Sequence, residues 1–216
     1  MISTTNPEAT FMTPKLAFTL KSSIFDRARQ LTIHPDYLEF EDKDLVALPP
    51  TRFPKEEIEG IRFGVKWIRG YSFYIGRIYC IDIRSETNQV IHLRLKSLYG
   101  IRKRELGDKY SKIANALFRY YFDDLARHYL RLFENNIPFD ILGVNFSSEG
   151  VVFDEKAGLV SWDFLGTKSY YTYYTLFCET NPIQYKAYEY IHHWNVAVLE
   201  SVTDLILKQK FPVPKS

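Results

Sequence analysis

Short apolar segments open the regular part of the chain at Leu16–Leu20, Leu31–His34 and Tyr37–Glu41, with His34-Pro35-Asp36 as the turn between the last two. Leu48-Pro49-Pro50 interrupts the pattern, because proline gives a ladder no donor. Three stronger runs follow. Ile61, Phe63, Val65 and Trp67 alternate with Arg62, Gly64, Lys66 and Ile68. Phe73, Ile75, Tyr79, Ile81 and Ile83 share a second face, and Ile91, Leu93 and Leu95 alternate with His92, Arg94 and Lys96. Period-2 alternation marks half-buried strands, and Arg69-Gly70 and Glu86-Thr87-Asn88 supply the turns of an antiparallel meander.

The period changes at Asp108. Ile113, Leu117, Tyr121, Leu125, Tyr129 and Leu132 recur at helical spacing. They predict one amphipathic helix to Glu134, with Asp108 as N-cap and Asn135-Asn136-Ile137-Pro138 as its stop. The second half repeats the order in miniature. Strands are expected at Leu142–Phe146, Val151–Phe153, Leu159–Leu165 and Tyr170–Cys178, with a turn over Asp154–Gly158. Asn181-Pro182 then opens a final helix from Gln184 to Lys208. Strands, helix, strands, helix argues against a doubly wound parallel sheet and for an α+β fold. The expected division is a leader over residues 1–15, a first unit over 16–136, a shorter second unit over 137–210 and a tail over 211–216.

Aromatic residues at 16% exclude a disordered chain, and two cysteines exclude a disulfide scaffold. Cys80 and Cys178 each sit in an apolar segment, as buried free thiols do. The N-terminal stretch has no basic leader before an apolar core, and no run of about 18 apolar residues occurs, so a cytoplasmic location is expected. A peripheral position at the inner membrane surface is the alternative.

Charge divides the chain unevenly. Residues 1–136 carry a net +5 and residues 137–216 a net −3, and the stretch from Gly60 to Arg104 alone carries +8. Arg62 and Lys66 share one strand parity, Arg94 and Lys96 share another with His92, and Arg102, Lys103 and Arg104 follow in sequence. A meander would place Tyr74, Ile78 and Cys80 between the two basic rows. Such a face fits a phosphate or an acidic peptide, since arginine donates two hydrogen bonds to an oxyanion. It equally fits a solvated sheet surface. A second candidate surface is the strand carrying Tyr170, Tyr171, Tyr173 and Tyr174. One of its sides must be core; the other either packs between the halves or forms a protein interface.

Catalytic and metal signatures are missing from the sequence. The five histidines form no cluster at ligand spacing. There is no Gly-x-Ser-x-Gly elbow, Walker motif or Gly-x-Gly-x-x-Gly. The adjacent carboxylates Glu56-Glu57 and Asp123-Asp124 diverge too much for a general acid/base pair. No metal and no cofactor is expected.

The segment Val144-Asn-Phe-Ser-Ser-Glu-Gly-Val-Val-Phe153 followed by Val160-Ser-Trp-Asp-Phe164 resembles the bacterial pleckstrin-homology-like (PH-like) domains. The first half is similar over about residues 16–134, with Phe53-Pro-Lys-Glu-Glu-Ile58 in place of the Trp-acidic element. The resemblance implies a divergent tandem pair. Each unit would be a bent antiparallel sheet or partly open barrel capped by a C-terminal helix. Many members have no assigned role, and the wider superfamily binds phosphoinositides or peptides more than it catalyses. The expectation is a non-enzymatic intracellular binding or scaffolding module with an unknown protein partner. An anionic lipid headgroup on the basic face is the alternative, and a small enzyme the third reading. Nucleic acid is not favoured, because no RNP-type aromatic motif is present. The oligomeric state is left open.

Overall fold

The regular elements fall into two runs of the same order. A computed structural model of the chain describes residues 14–21, 27–43, 48–154 and 158–211. The first run starts with an antiparallel sheet of β1 (Leu16–Leu20), β2 (Arg29–His34), β3 (Tyr37–Phe40) and β4 (Thr51–Pro54). A 3-10 turn over Lys55–Glu57 leads into a second meander, β5 (Ile58–Arg69), β6 (Tyr74–Ser85) and β7 (Val90–Leu98). Helix α1 (Lys103–Leu117), a π-helical turn (Phe118–Phe122) and α2 (Asp123–Glu134) complete it. The second run has β8 (Phe139–Ile141), β9 (Val144–Phe146), β10 (Gly150–Val152) and β11 (Val160–Ser161) in one sheet. A 3-10 turn over Trp162–Phe164 leads into β12 (Leu165–Ser169), β13 (Tyr173–Cys178) and β14 (Asn181–Glu189), and α3 (Val196–Lys210) closes it.

The repeat extends to backbone angles. The residues entering the two 3-10 turns, Pro54 and Ser161, have φ/ψ of −54/150 and −60/149; those leaving, Ile58 and Leu165, have −79/106 and −80/110. Each run's helix is preceded by a left-handed residue, Arg102 (φ 54) or Asn195 (φ 61). The fold is α+β with antiparallel sheets, and none of the described sheets closes into a barrel. Buried side chains of both runs, from Leu31 and Ile83 to Val151 and Leu199, form one contiguous cluster. Phe133 of α2 meets Trp162 edge-on at 5.4 Å, and the Trp162 indole N–H donates to the Ser147 carbonyl at 3.0 Å.

Several expectations are corrected. The first helix begins at Lys103, and Asp108 lies inside it. The chain turns earlier, through positive φ at Tyr99, Gly100 and Arg102, and this buries Leu106 under the sheet. The helix is also not uniform. Its π-helical turn holds three consecutive buried aromatics, Tyr120, Tyr121 and Phe122, which a 3.6-residue period cannot bury together. The segment from Asn181 to Glu189 is a strand, not the start of the last helix. Gln184 and Tyr188 point inward at even spacing, and β14 is an edge strand, where Pro182 is tolerated. Residues 162–164 form a 3-10 turn inside the expected strand 159–165. Of the expected leader, tail and 154–158 turn, residues 1–13, 212–216 and 155–157 lie outside the described residues.

Candidate functional site

The register of β5, β6 and β7 sets the chemistry of their outer face, since α1 covers the other. Three cross-strand rows follow each other: Arg62–Asp82–His92, Gly64–Cys80–Arg94 and Lys66–Ile78–Lys96. Ile78 and Cys80 therefore lie between the basic rows as expected. Tyr74 does not, because a register shift between Ile68 and Arg69 turns it toward Trp67, 5.7 Å away between ring centroids.

Asp82 reorganises this face. The carboxylate is buried, and its Oδ2 accepts from Arg62 Nε at 2.9 Å. Its Oδ1 lies 2.6 Å from Arg94 Nη2 and 2.8 Å from His92 Nδ1. A carboxylate only accepts, so His92 carries its proton on Nδ1. Burial raises the Asp82 pKa, but hydrogen bonds from His92, Arg94 and Arg62 outweigh it and hold the group below the ordinary aspartate range. Arg62 and Arg94 thus neutralise an internal charge instead of facing a ligand. Burial pushes the Cys80 thiol up despite the nearby Arg94 and Lys66, which leaves it unreactive.

The second run covers part of this face. The Tyr190 carbonyl accepts from the Phe63 N–H at 3.0 Å. Asn195 adds three bonds: its N–H donates to the Ile61 carbonyl at 2.7 Å, its Oδ1 accepts from the Ile61 N–H at 2.9 Å, and its Nδ2 donates to the Glu59 carbonyl at 3.1 Å. Ile191 lies over Gly64, where a Cβ would come within 2.8 Å of it, so only glycine allows this approach. The guanidinium groups of Arg62 and Arg84 sit 4.4 and 4.8 Å from the Trp194 ring centroid.

Beyond this cover, the β5–β6 hairpin carries exposed aromatic residues. Tyr71 is fully exposed, Phe73 is 65% exposed and Tyr99, on the adjoining β7–α1 turn, 72%. The Tyr99 N–H donates to the Ile75 carbonyl at 2.7 Å and fastens the two segments together. Trp67, Phe73, Tyr74 and Tyr99 line a shallow recess of about 370 Å³. Arg77 stacks on Trp67 at 4.3 Å. Of the sequence-predicted cations, Lys66, Lys96, Lys103 and Arg104 are exposed near this end with no carboxylate partner among the described residues, and Arg102 pairs with Glu105 at 2.6 Å. Sequence patterning missed Tyr71 and Tyr99, counted Arg69 and Arg77 in the basic stretch without assigning them to the site, and placed Trp67 and Phe73 on apolar strand faces. The usable signal was the segment Arg69-Gly-Tyr-Ser-Phe-Tyr-Ile-Gly-Arg77, four aromatic and aliphatic side chains between two glycines flanked by arginines.

The tyrosine cluster divides differently. Tyr174 is fully buried and belongs to the core, and Tyr173 is half-buried. Tyr170 stacks on Tyr173 at 4.5 Å with Lys168 over it at 5.0 Å. Tyr171 is left exposed.

A groove of about 490 Å³ runs between α1 and α3, walled by Phe63, Tyr110 and Phe118 and carrying Glu200 and Asp204. Glu200 is already engaged, accepting from Ser169 and, at 2.6 Å, from Tyr190. Burial and then the nearby Glu200 raise the Asp204 pKa. Among the described residues no three His, Cys, Asp or Glu side chains converge on a metal position. No helix among them is long and apolar enough to cross a membrane. No family model, curated protein or solved structure matches the chain.

Proposed function

We propose that the chain is a non-enzymatic binding module, built from two fused PH-like units, that engages an anionic partner through the free end of the β5–β6 hairpin. The doubled order of four strands, 3-10 turn, three strands and helix supports the tandem reading. One observation carries the binding reading: five exposed aromatic rings, Trp67, Tyr71, Phe73, Tyr74 and Tyr99, gather with cations at one end of the β5–β6 hairpin. Residues 66–77 and 96–104 contain seven Lys and Arg and no Asp or Glu. A field of one sign attracts the opposite charge, and the aromatic rings add area that water solvates poorly.

The test is retention on immobilised heparin, a polyanion without a bilayer. Arg69→Glu/Lys103→Glu should elute at clearly lower salt than the wild type, while Lys112→Glu/Lys208→Glu, equal in charge change but elsewhere, should shift less. Equal shifts for the two variants would sink the assignment to this end.

A further inference from the structure

We infer that this hairpin end docks on the surface of an anionic lipid bilayer, with Tyr71 and Phe73 entering the interface, Trp67 beside them and Arg69 and Lys103 at headgroup level. The inference rests on the binding reading above and names its partner. Its first support is charge: the two segments forming the end carry only cations. An anionic leaflet attracts such clusters, each cation strengthening binding about fivefold.

The second support is the kind of apolar side chain and how it is presented. Trp and Tyr have an apolar body and a polar edge, which suits the headgroup boundary better than either water or hydrocarbon. Tyr71, fully exposed, and Phe73, 65% exposed, flank Ser72 on a turn that projects from the sheet. The Gly70 N–H donates to the Phe73 carbonyl at 2.7 Å, so the turn is held in shape without burying its rings. The recess beside it, about 370 Å³, is lined by Trp67, Phe73, Tyr74 and Tyr99, and Tyr71 stands outside it with its ring bare. An exposed aromatic tip enters a fluid interface without a matching cavity. Arg77 lies flat on Trp67 at 4.3 Å, an arrangement that keeps the guanidinium near phosphates while the ring sits deeper.

The groove between α1 and α3 shares no lining residue with this recess. Its carboxylates would repel the same surface, so the two features do not form one site.

Co-sedimentation with vesicles of phosphatidylcholine alone and of an equal mixture with phosphatidylglycerol tests the inference, using the full chain. Binding is expected only to the mixed vesicles and should weaken with salt. Tyr71→Ala/Phe73→Ala should weaken it at least about tenfold, since each ring adds buried apolar area. Arg69→Glu/Lys103→Glu should abolish it, and Lys112→Glu/Lys208→Glu should have the smaller effect. Lipids brominated on the acyl chain should quench emission in the wild type more than in Trp67→Phe, because Trp162 is buried and Trp194 is half-buried against Arg62 and Arg84. Four outcomes separate the readings. Salt-sensitive binding with quenching and ring dependence supports docking. Binding without quenching, unchanged in Tyr71→Ala/Phe73→Ala, overturns interfacial entry. Loss of vesicle binding with heparin retention intact overturns the bilayer and leaves a soluble polyanion or acidic protein as partner. Loss of both overturns this inference and the binding reading together.

Discussion

The β5–β6 and β12–β13 hairpins occupy the same place in the two runs, directly after a 3-10 turn, yet they are built for different ends. The first has two strands of 12 residues; the second has strands of 5 and 6. At roughly 3.3 Å per residue the longer strands reach about 20 Å further. The short hairpin is finished locally: Tyr170 stacks on Tyr173, and the Thr172 carbonyl accepts from Tyr190 at 3.1 Å. The two also differ in what fixes their middle. The short hairpin faces Tyr174 with Tyr188, both buried. The long one is stapled by Asp82 against Arg62, His92 and Arg94 from both neighbouring strands. A long hairpin with a polar staple can hold its direction while its tip stays bare. Tyr170 and Tyr171 are exposed at the short hairpin's turn as well, so extra strand length, more than bare rings, distinguishes the end proposed to bind.

Breaking the staple should have the largest effect. Asp82→Ala leaves two arginines facing each other across β6 without their shared acceptor. Losing one partner of a buried ion pair costs about 3–5 kcal/mol, and the lower end applies because both arginines reach solvent. Urea unfolding measures it, and a loss below about 1 kcal/mol would mean that the staple is ornamental. The contrasting change in the short hairpin is Thr175→Val, which removes a buried hydroxyl that has no partner among the described residues and should be close to neutral.

The brace on β5 comes next. Asn195→Ala removes two side-chain bonds and forces an alanine to φ 61, so a loss of about 2–3 kcal/mol is expected. Asn195→Gly removes the same bonds without the left-handed penalty, and the smaller loss separates the two causes. Acid sharpens the comparison further. Asp82 titrates below its ordinary value of 3.8, so near that pH the unfolded chain holds more protons than the folded one. Its stabilisation is complete above the ordinary aspartate range and is lost as pH falls from there through the lowered folded-state pKa. Asp204 is raised, so its sign is opposite: it destabilises at neutral pH, and the penalty fades as pH falls through its raised pKa toward 3.8. Unfolding free energies from pH 7 to about 3 should therefore show a steeper acid loss in Asp204→Asn than in the wild type, and a shallower one in Asp82→Asn.

Much of the architecture could be read from patterning because its strands are amphipathic. Ile61 to Trp67 and Ile91 to Lys96 announce the central meander, and Ile113 and Leu117 announce α1. What patterning could not reach depended on tertiary contacts. Tyr188 suits a helix stripe as well as a strand, and only its pairing opposite Tyr174 decides for the strand. The π-helical turn exists because three neighbouring aromatics find separate burial sites, a fact about the core rather than the local sequence. The candidate site was half legible. The cationic stretch stood out, but which cations are free was hidden. Asp82 looked like a minor exception in a basic segment, yet it engages Arg62 and Arg94 and takes them out of the expected anion-binding face. Trp67 and Phe73 obeyed strand alternation, so nothing local showed that the strands outrun the core that would cover them.

The smallest expected effect is the most informative about the tip. If Tyr71 and Phe73 serve binding and not folding, Tyr71→Ala/Phe73→Ala should change stability by no more than about 0.5 kcal/mol, as exposed substitutions do. The matched change in the short hairpin, Tyr170→Ala/Tyr173→Ala, removes a stacked pair, one ring half-buried, and should cost about 1–2 kcal/mol. Urea unfolding of the two variants beside the wild type compares them directly. A large loss from the tip variant would mean that its rings pack in solution and do not wait for a partner. Equal small losses would erase the distinction between the hairpins. A loss confined to the short hairpin would show that aromatic residues finish one end of the molecule and are held in reserve at the other.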